Sequence, residues 1–147
     1  MQSERKFLSI FLSLCFLLSF SACHQDSDEQ QIKRIIDQLS KAVEENKLVD
    51  IADHLHADFR ANGEMNAQRV KQMLMMYGMQ HQSINITIVS AKTAIDTIYQ
   101  DKAESTLSVI ATGSSGRILP SDGSVRVVKL EWRKDGDWKI LKANWQE

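Results

Sequence analysis

The side chains that could carry acid–base chemistry in this 147-residue chain are scattered and form no catalytic motif. Such chemistry needs a titratable group held in an apolar pocket, where its pKa is shifted. His54 and His56 lie in a segment that we predict to be helical, and residues two apart on a helix point to opposite sides, so they form no two-histidine metal site. The titratable candidates are Asp53, His54, His56, Asp58, Tyr77, Asp96 and Tyr99. We interpret them as solvated or rim residues, and we predict no catalytic residue.

Methionines are concentrated in one segment, Met73 to His81, which holds four of the six in the chain. Outside the cytoplasm, clustered thioethers with a histidine can bind Cu(I). Methionine is also an adaptable lining for a core or a pocket, and these residues are helical neighbours. We therefore predict a core or pocket role, with no metal and no cofactor.

The first 22 residues have the three-part layout of a secretory signal peptide. Arg5 and Lys6 precede an apolar run from Phe7 to Phe20, and small residues follow it. The run has 14 residues, which is short of the ~20 that a membrane-spanning helix needs. Ser21-Ala22-Cys23 resembles the lipobox of bacterial lipoproteins, in which the cysteine is diacylated and becomes the mature N-terminus. An ordinary signal-peptidase cut after Ser21 is the alternative.

The residues on either side of the lipobox, Phe20 and His24, also bear on the resemblance. Phe20 stands where the family pattern usually has Leu. His24 stands where Asp would mark inner-membrane retention in enteric bacteria. The resemblance therefore implies a lipid, including palmitate, on Cys23 and attachment to the outer membrane, with the domain facing the periplasm or the cell surface.

Composition limits the remaining possibilities. The chain has 18 Lys plus Arg against 19 Asp plus Glu, a balance that gives no field to attract nucleic acid. Residues 24 to 30 include no apolar side chain and predict a flexible tether. The predicted organisation is thus a signal peptide over 1–22, a lipidated cysteine and tether over 23–30, and one domain over 31–147.

Apolar periodicity predicts helices first and strands afterwards. The three helices are expected at about 28–46, at 50–56 with Asp50 as N-cap, and at 67–77 with Asn66 as N-cap and Gly78 just after the end. Asn62-Gly63 is a turn signal. The strands are expected at 84–88, 91–99, 103–111, 125–132 and 138–145, with a loop over 112–124.

This order predicts an α+β fold with helices on one face of a mainly antiparallel sheet. It resembles the NTF2-like superfamily, also called SnoaL-like or cystatin-like, in which three N-terminal helices lie in a curved sheet of four to six strands. The closing segment from Leu130 to Ile140, followed by Trp145, carries the resemblance most clearly. In enzymes of this superfamily, Asp, His and Tyr act inside the cone between helices and sheet.

The final hairpin is predicted to turn through Lys134-Asp135, with Gly136 in the left-handed conformation. That register places Trp132 opposite Trp138 and Leu130 opposite Ile140. A two-residue loop at Asp135-Gly136 would instead place Trp132 opposite Lys139. We favour the first register because it gathers the apolar side chains on one face.

The expected function is binding of a small apolar ligand, or of a partner protein, in the cone of an anchored domain and without catalysis. An isomerase, dehydratase or hydrolase of the SnoaL-like type is the alternative, and a structural homodimer is the third. The predicted pocket residues are Met73, Met76, Tyr77, Trp132, Trp138 and Asn144.

Overall fold

The computed structural model describes residues 26–80, 84–113 and 125–145. The predicted signal peptide, Cys23 and most of the predicted 112–124 loop lie outside these residues. The described elements are α1 (Asp28–Glu44), a 3₁₀ helix (Leu48–His54), β1 (Leu55–Ala61), β2 (Met65–Asn66), α2 (Ala67–Gln80), β3 (Ile84–Ile95), β4 (Lys102–Gly113), β5 (Val125–Asp135) and β6 (Asp137–Trp145).

The strands form one six-stranded curved sheet in the order β2-β1-β6-β5-β4-β3. Strands β3 to β6 are joined in antiparallel pairs, and β1 lies parallel to β6. The helices pack on its inner face, so the predicted α+β class and helix-on-sheet arrangement are confirmed. Within the described residues, no helix is long and apolar enough to cross a membrane.

Helix α1 begins inside the segment predicted to be a tether. The Ser27 hydroxyl accepts a hydrogen bond from the Gln30 backbone N–H (3.3 Å), and the Gln30 side chain accepts one from the Ser27 N–H (3.0 Å). This capping box satisfies free donors of the first turn, where acidic residues also suit the helix dipole. The tether prediction is therefore wrong for residues 27–30. The predicted helix itself is confirmed and buries Ile32 and Ile36.

The region after α1 differs most from expectation. The predicted second helix is a 3₁₀ helix that begins at Leu48, and Asp50 is not its N-cap. Strand β1 starts at Leu55, where the sequence predicted continued helix. Only Phe59 and Ala61 of β1 are buried, and its parallel partner β6 is some eighty residues away, so no local pattern signals the strand.

The segment around α2 follows the prediction at its start but not at its end. Asn62 and Gly63 have φ angles of 46° and 77°, as the predicted turn requires. The Asn66 side chain accepts a hydrogen bond from the Arg69 N–H (2.9 Å) and caps α2. Gly78 does not end the helix, which continues to Gln80. Gly78 packs against Leu48, whose Cδ1 would lie in ordinary contact, at 3.6 Å, with a Cβ there.

In the sheet, the two strands predicted over 84–99 are one strand, β3, with an irregularity between Ile88 and Ser90. It ends at Ile95, so Thr97 to Tyr99 belong to the turn that follows. β4 alternates as predicted, and it buries Ala103, Ser105 and Leu107.

The final hairpin has Gly136 in the left-handed conformation (φ 74°), as predicted, but both considered registers are wrong. Asp135 stands opposite Asp137, and Trp132 stands opposite Ile140. A bulge at Leu141 then shifts the pairing, so that Leu130 meets Ala143 and Glu131 meets Lys142. The pairing of β5 thus continues two residues closer to Gly136 than predicted, because Asp135, and not Arg133, stands opposite Asp137. Near the turn the shift is two residues, which keeps Trp132, Trp138 and Ile140 on their face, so matching the apolar face could not detect it. Beyond the bulge the shift is three residues, which turns Ala143 and Trp145 to the inner face in place of Asn144.

The domain has two distinct ends. We call the hairpin end the part that holds the start of α1, the 96–101 turn and the β5–β6 turn at Gly136. We call the cavity end the part that holds the end of α1, the start of β5 and the end of β6. Trp132 and Trp138 are buried in the half towards the hairpin end.

Candidate functional site

An apolar cavity of about 330 Å³ lies between the second half of α1, α2 and the inner face of the sheet. The curved sheet and the amphipathic helices do not fill the space between them at this end. Most of the lining is aliphatic: Ile36, Leu39, Ser40, Val43, Ile51, Leu55, Phe59, Ala61, Val70, Met73, Leu74, Ile86, Ile88, Leu107, Val109, Val128, Leu130, Ile140, Ala143 and Trp145.

The cavity offers very few polar groups. Among the described lining residues, only the Ser40 hydroxyl and the Trp145 indole can make conventional side-chain hydrogen bonds, and none of the side chains is titratable. An ionised group placed there would lose its hydration without a charged partner. The cavity therefore suits an uncharged molecule.

Met73 and Trp145 are the two exposed lining residues, at 43% and 36%, and we place the open side of the cavity at them. Trp145 is held at the end of β6, where its backbone N–H donates to the Asn62 side chain (3.1 Å). Methionine adapts its shape to what it contacts, and an indole offers a broad flat surface. This side of the cavity can thus accept ligands of different shapes.

Of the six predicted pocket residues, the structure places only Met73 in the lining. Trp132 and Trp138 are core residues. Met76 lies on the outer side of α2 and is 58% exposed, and Asn144 alternates with Ala143 and Trp145, so it points away from the cavity. Tyr77 is half-buried and does not line the cavity.

The apolar face of α1 signalled Leu39 and Val43, but periodicity cannot distinguish a cavity wall from packed core.

The two core tryptophans have hydrogen-bond partners of their own. The Trp132 indole N–H donates to the Ser105 hydroxyl (2.9 Å), which also bonds the Thr93 hydroxyl (2.8 Å). The Trp138 indole N–H donates to the Asp28 carboxylate (3.0 Å). Both rings are therefore fixed away from the cavity.

The titratable candidates also lie outside the apolar cavity. His54 borders a separate polar groove of about 300 Å³ with Arg34 and Lys139. Burial, and then the charge of Lys139, lower the pKa of His54 and favour its neutral form. His56 Nδ1 accepts a hydrogen bond from the Asp58 backbone N–H (3.0 Å).

Asp96 has a structural role in its turn. Its carboxylate accepts the backbone N–H groups of Tyr99 and Ile98, and these bonds lower its pKa. Within the described part of the chain, no three His, Cys, Asp or Glu residues are grouped to hold a metal ion.

No protein-family profile and no curated protein matches this sequence. Solved structures do match the fold. An NTF2-like protein with a cystatin-like fold from Novosphingobium aromaticivorans matches 94% of this chain and 88% of its own, with 10% identity and a TM-score of 0.62. The hexachlorocyclohexane dehydrochlorinase LinA-type3 of Novosphingobium barchaimii matches 80% of this chain and 84% of its own, with 14% identity and a TM-score of 0.60.

A third similar structure belongs to a longer protein. Bd1075 of Bdellovibrio bacteriovorus matches 80% of this chain with 15% identity and a TM-score of 0.63, and this chain covers 40% of Bd1075. At such identities the likeness concerns the fold alone. The fold is NTF2-like, and proteins that share it include enzymes as well as proteins of unknown function.

Proposed function

We propose that this chain is a lipid-anchored protein of the outer membrane whose NTF2-like domain binds a small uncharged apolar ligand without transforming it. The observation that carries the proposal is the aliphatic cavity, whose described lining has no titratable side chain. Isomerisation, dehydration or hydrolysis by acid–base chemistry requires such a group within hydrogen-bond reach of the substrate. His54 lies at a separate groove, and His56 and Asp96 hydrogen-bond backbone N–H groups outside the cavity.

The ligand class follows from the walls. A cavity of this size is at the lower end of those that hold small organic molecules. Aliphatic chains or flat hydrocarbon rings match the lining, and one hydroxyl or carbonyl group could meet the Ser40 hydroxyl. A carboxylate or an ammonium group would have to remain outside.

Thermal unfolding of the chain expressed from His24 tests the cavity. The probes are aliphatic alcohols and neutral sterols, with the matching fatty acids for comparison. A ligand at a hundredfold its dissociation constant should stabilise the fold by about 2.7 kcal/mol. Ala143→Leu narrows the cavity and should reduce the shift, whereas Ala94→Leu, at an exposed position outside this cavity, should retain it.

Two results would contradict the proposal. One is that none of the probes raises the melting temperature of the wild-type domain. The other is that Ala143→Leu responds like the wild type while remaining folded by circular dichroism.

Anchoring rests on Cys23, the residue after the small pair Ser21-Ala22. Cys23→Ser should leave an unprocessed or unlipidated chain that no longer fractionates normally with the outer membrane. Cys15→Ser is the matched control, because Cys15 lies inside the apolar run after a bulky leucine. Normal processing and attachment of Cys23→Ser would refute the lipoprotein assignment.

Homodimerisation is a second candidate, and one observation favours it. Val89, Val125 and Val127 of the sheet are all about half exposed, which leaves apolar surface towards solvent. Sedimentation equilibrium of the wild type and of Val127→Lys tests this. A concentration-dependent dimer that the lysine disrupts supports the candidate, and a wild type that stays monomeric excludes it.

A further inference from the structure

The hairpin end of the domain holds two apolar side chains out in solvent. Ile98 is 78% exposed and Tyr99 is 55% exposed. Their turn is well fixed: the Asp96 carboxylate accepts both of their backbone N–H groups (2.8 Å each), and the Tyr99 carbonyl accepts the Lys102 N–H (2.9 Å). Burying these two side chains within the domain would require this turn to be rebuilt.

The same turn lies beside the start of α1. The Asp101 carbonyl accepts the Lys134 backbone N–H (2.8 Å), and the Lys134 ammonium bonds the Asp28 carboxylate (2.5 Å). The chain is already held at Asp26, whose carbonyl accepts from the Gln31 side chain (2.8 Å) and whose carboxylate pairs with Arg34. The folded domain therefore begins at its hairpin end.

The distance from there to the anchoring residue is short. Only His24 and Gln25 separate Cys23 from Asp26. Three Cα–Cα steps span about 10 Å at full extension. The cavity-lining residues of β5, Val128 and Leu130, precede Asp135 by seven and five positions, so the cavity lies roughly 20 Å from the Gly136 turn. A lipid on Cys23 thus brings the hairpin end, and not the cavity end, to the bilayer surface.

We propose that Ile98 and Tyr99 insert among the lipid headgroups of the membrane that holds Cys23, an inference that rests on the anchoring proposed above. Tyrosine suits this layer because its ring is apolar and its hydroxyl is polar. The Lys102 ammonium lies 4.1 Å from the centre of the Tyr99 ring, where its charge can meet lipid phosphates. The cavity then faces away from the membrane, and its ligand exchanges with the aqueous side.

The test uses the full-length chain, expressed with its own signal sequence in a Gram-negative host and reconstituted in phosphatidylethanolamine–phosphatidylglycerol vesicles. Ile98→Cys is labelled with a polarity-sensitive nitrobenzoxadiazole fluorophore. Met79→Cys is the matched control, since it is an apolar side chain of similar exposure (75%) on the last turn of α2 near the cavity end. In the acylated mature chain Cys23 is blocked as a thioether and Cys15 is removed, so each variant has one free thiol.

The emission of the label at position 98 should shift to the blue. With nitroxide-headgroup lipids in the vesicles, that label should lose most of its fluorescence, whereas the label at position 79 should keep its fluorescence. Mass spectrometry of the same samples separates the two proposals. An acylated chain whose two labels are quenched equally, or not at all, overturns this orientation and leaves the anchoring standing. A mature chain without acyl groups overturns the anchoring, and the orientation with it.

Discussion

Ser105, a buried residue of β4, links the buried Trp132 of β5 to the partly buried Thr93 of β3. Its hydroxyl accepts the Trp132 indole N–H and bonds the Thr93 hydroxyl. Ser105→Ala would leave the buried indole N–H without a partner, which costs about 1–3 kcal/mol. Urea unfolding measures the loss. Ser90→Ala, on an exposed position of β3, should change the stability little, and an equal loss in both variants would contradict this role.

Asp28 joins the start of α1 to the hairpin through Lys134 and Trp138, and these hydrogen bonds lower the pKa of its carboxyl. A group with a lowered pKa stabilises the folded state above its unfolded pKa, here 3.8, and loses that effect as the pH falls through the folded value. Asp28→Asn should therefore destabilise the domain at pH 7, by about 1 kcal/mol because the pair is partly exposed.

The stability difference between wild type and Asp28→Asn should narrow steadily below about pH 4. Asp37→Asn removes an exposed carboxylate that pairs with Lys33, so it serves as the control. Denaturant unfolding at a series of pH values checks both variants. If the stability difference between wild type and Asp28→Asn stays constant down to pH 2, the ionised carboxylate is not the source of the stabilisation.

At the scale of the element, the β5–β6 turn depends on Gly136. Its φ of 74° lies in the left-handed region, and nothing lies within 4 Å of where a Cβ would stand. The cost of a substitution is therefore backbone strain alone. Gly136→Val should lose at least about 1–2 kcal/mol, and Gly136→Asn should lose less, because asparagine adopts this conformation more readily. Equal melting temperatures for the two variants would contradict this explanation.

Elements with strong local signals could be predicted from the sequence. α1 has both an apolar face and polar first-turn residues, and the Asn62-Gly63 turn and the Asn66 cap depend on residues a few positions apart. β1 could not be predicted, since its long partner β6 is distant in sequence and its local partner β2 has only two residues. The hairpin register was missed because near the turn a shift of two residues preserves both faces, and because no local signal marks the bulge at Leu141 that exchanges the faces beyond it.

For the site, the sequence predicted an apolar cavity between α2 and the sheet but placed most of its walls wrongly. The large tryptophans suggested a ligand surface, yet Trp132 and Trp138 are core residues with their own hydrogen-bond partners. The actual walls are ordinary Ile, Leu and Val residues. Whether such residues touch each other or surround a space depends on the curvature of the sheet, which no local pattern encodes.

At the scale of the whole molecule, the domain separates its two proposed contacts. The hairpin end holds the start of the folded chain together with Ile98 and Tyr99, and the cavity lies at the other end. α1 connects the two over its 17 residues, or roughly 25 Å. A domain arranged in this way would hold its ligand away from the membrane that anchors it.

The central claim is that an apolar molecule occupies the cavity beside Trp145. The most direct measurement is a titration with a dibrominated long-chain alcohol, because bromine quenches indole fluorescence only near contact. The wild type should show saturable quenching, and Trp145→Phe should show almost none, since Trp132 and Trp138 do not line the cavity. Quenching that does not saturate, or that is equally strong in Trp145→Phe, would contradict the claim.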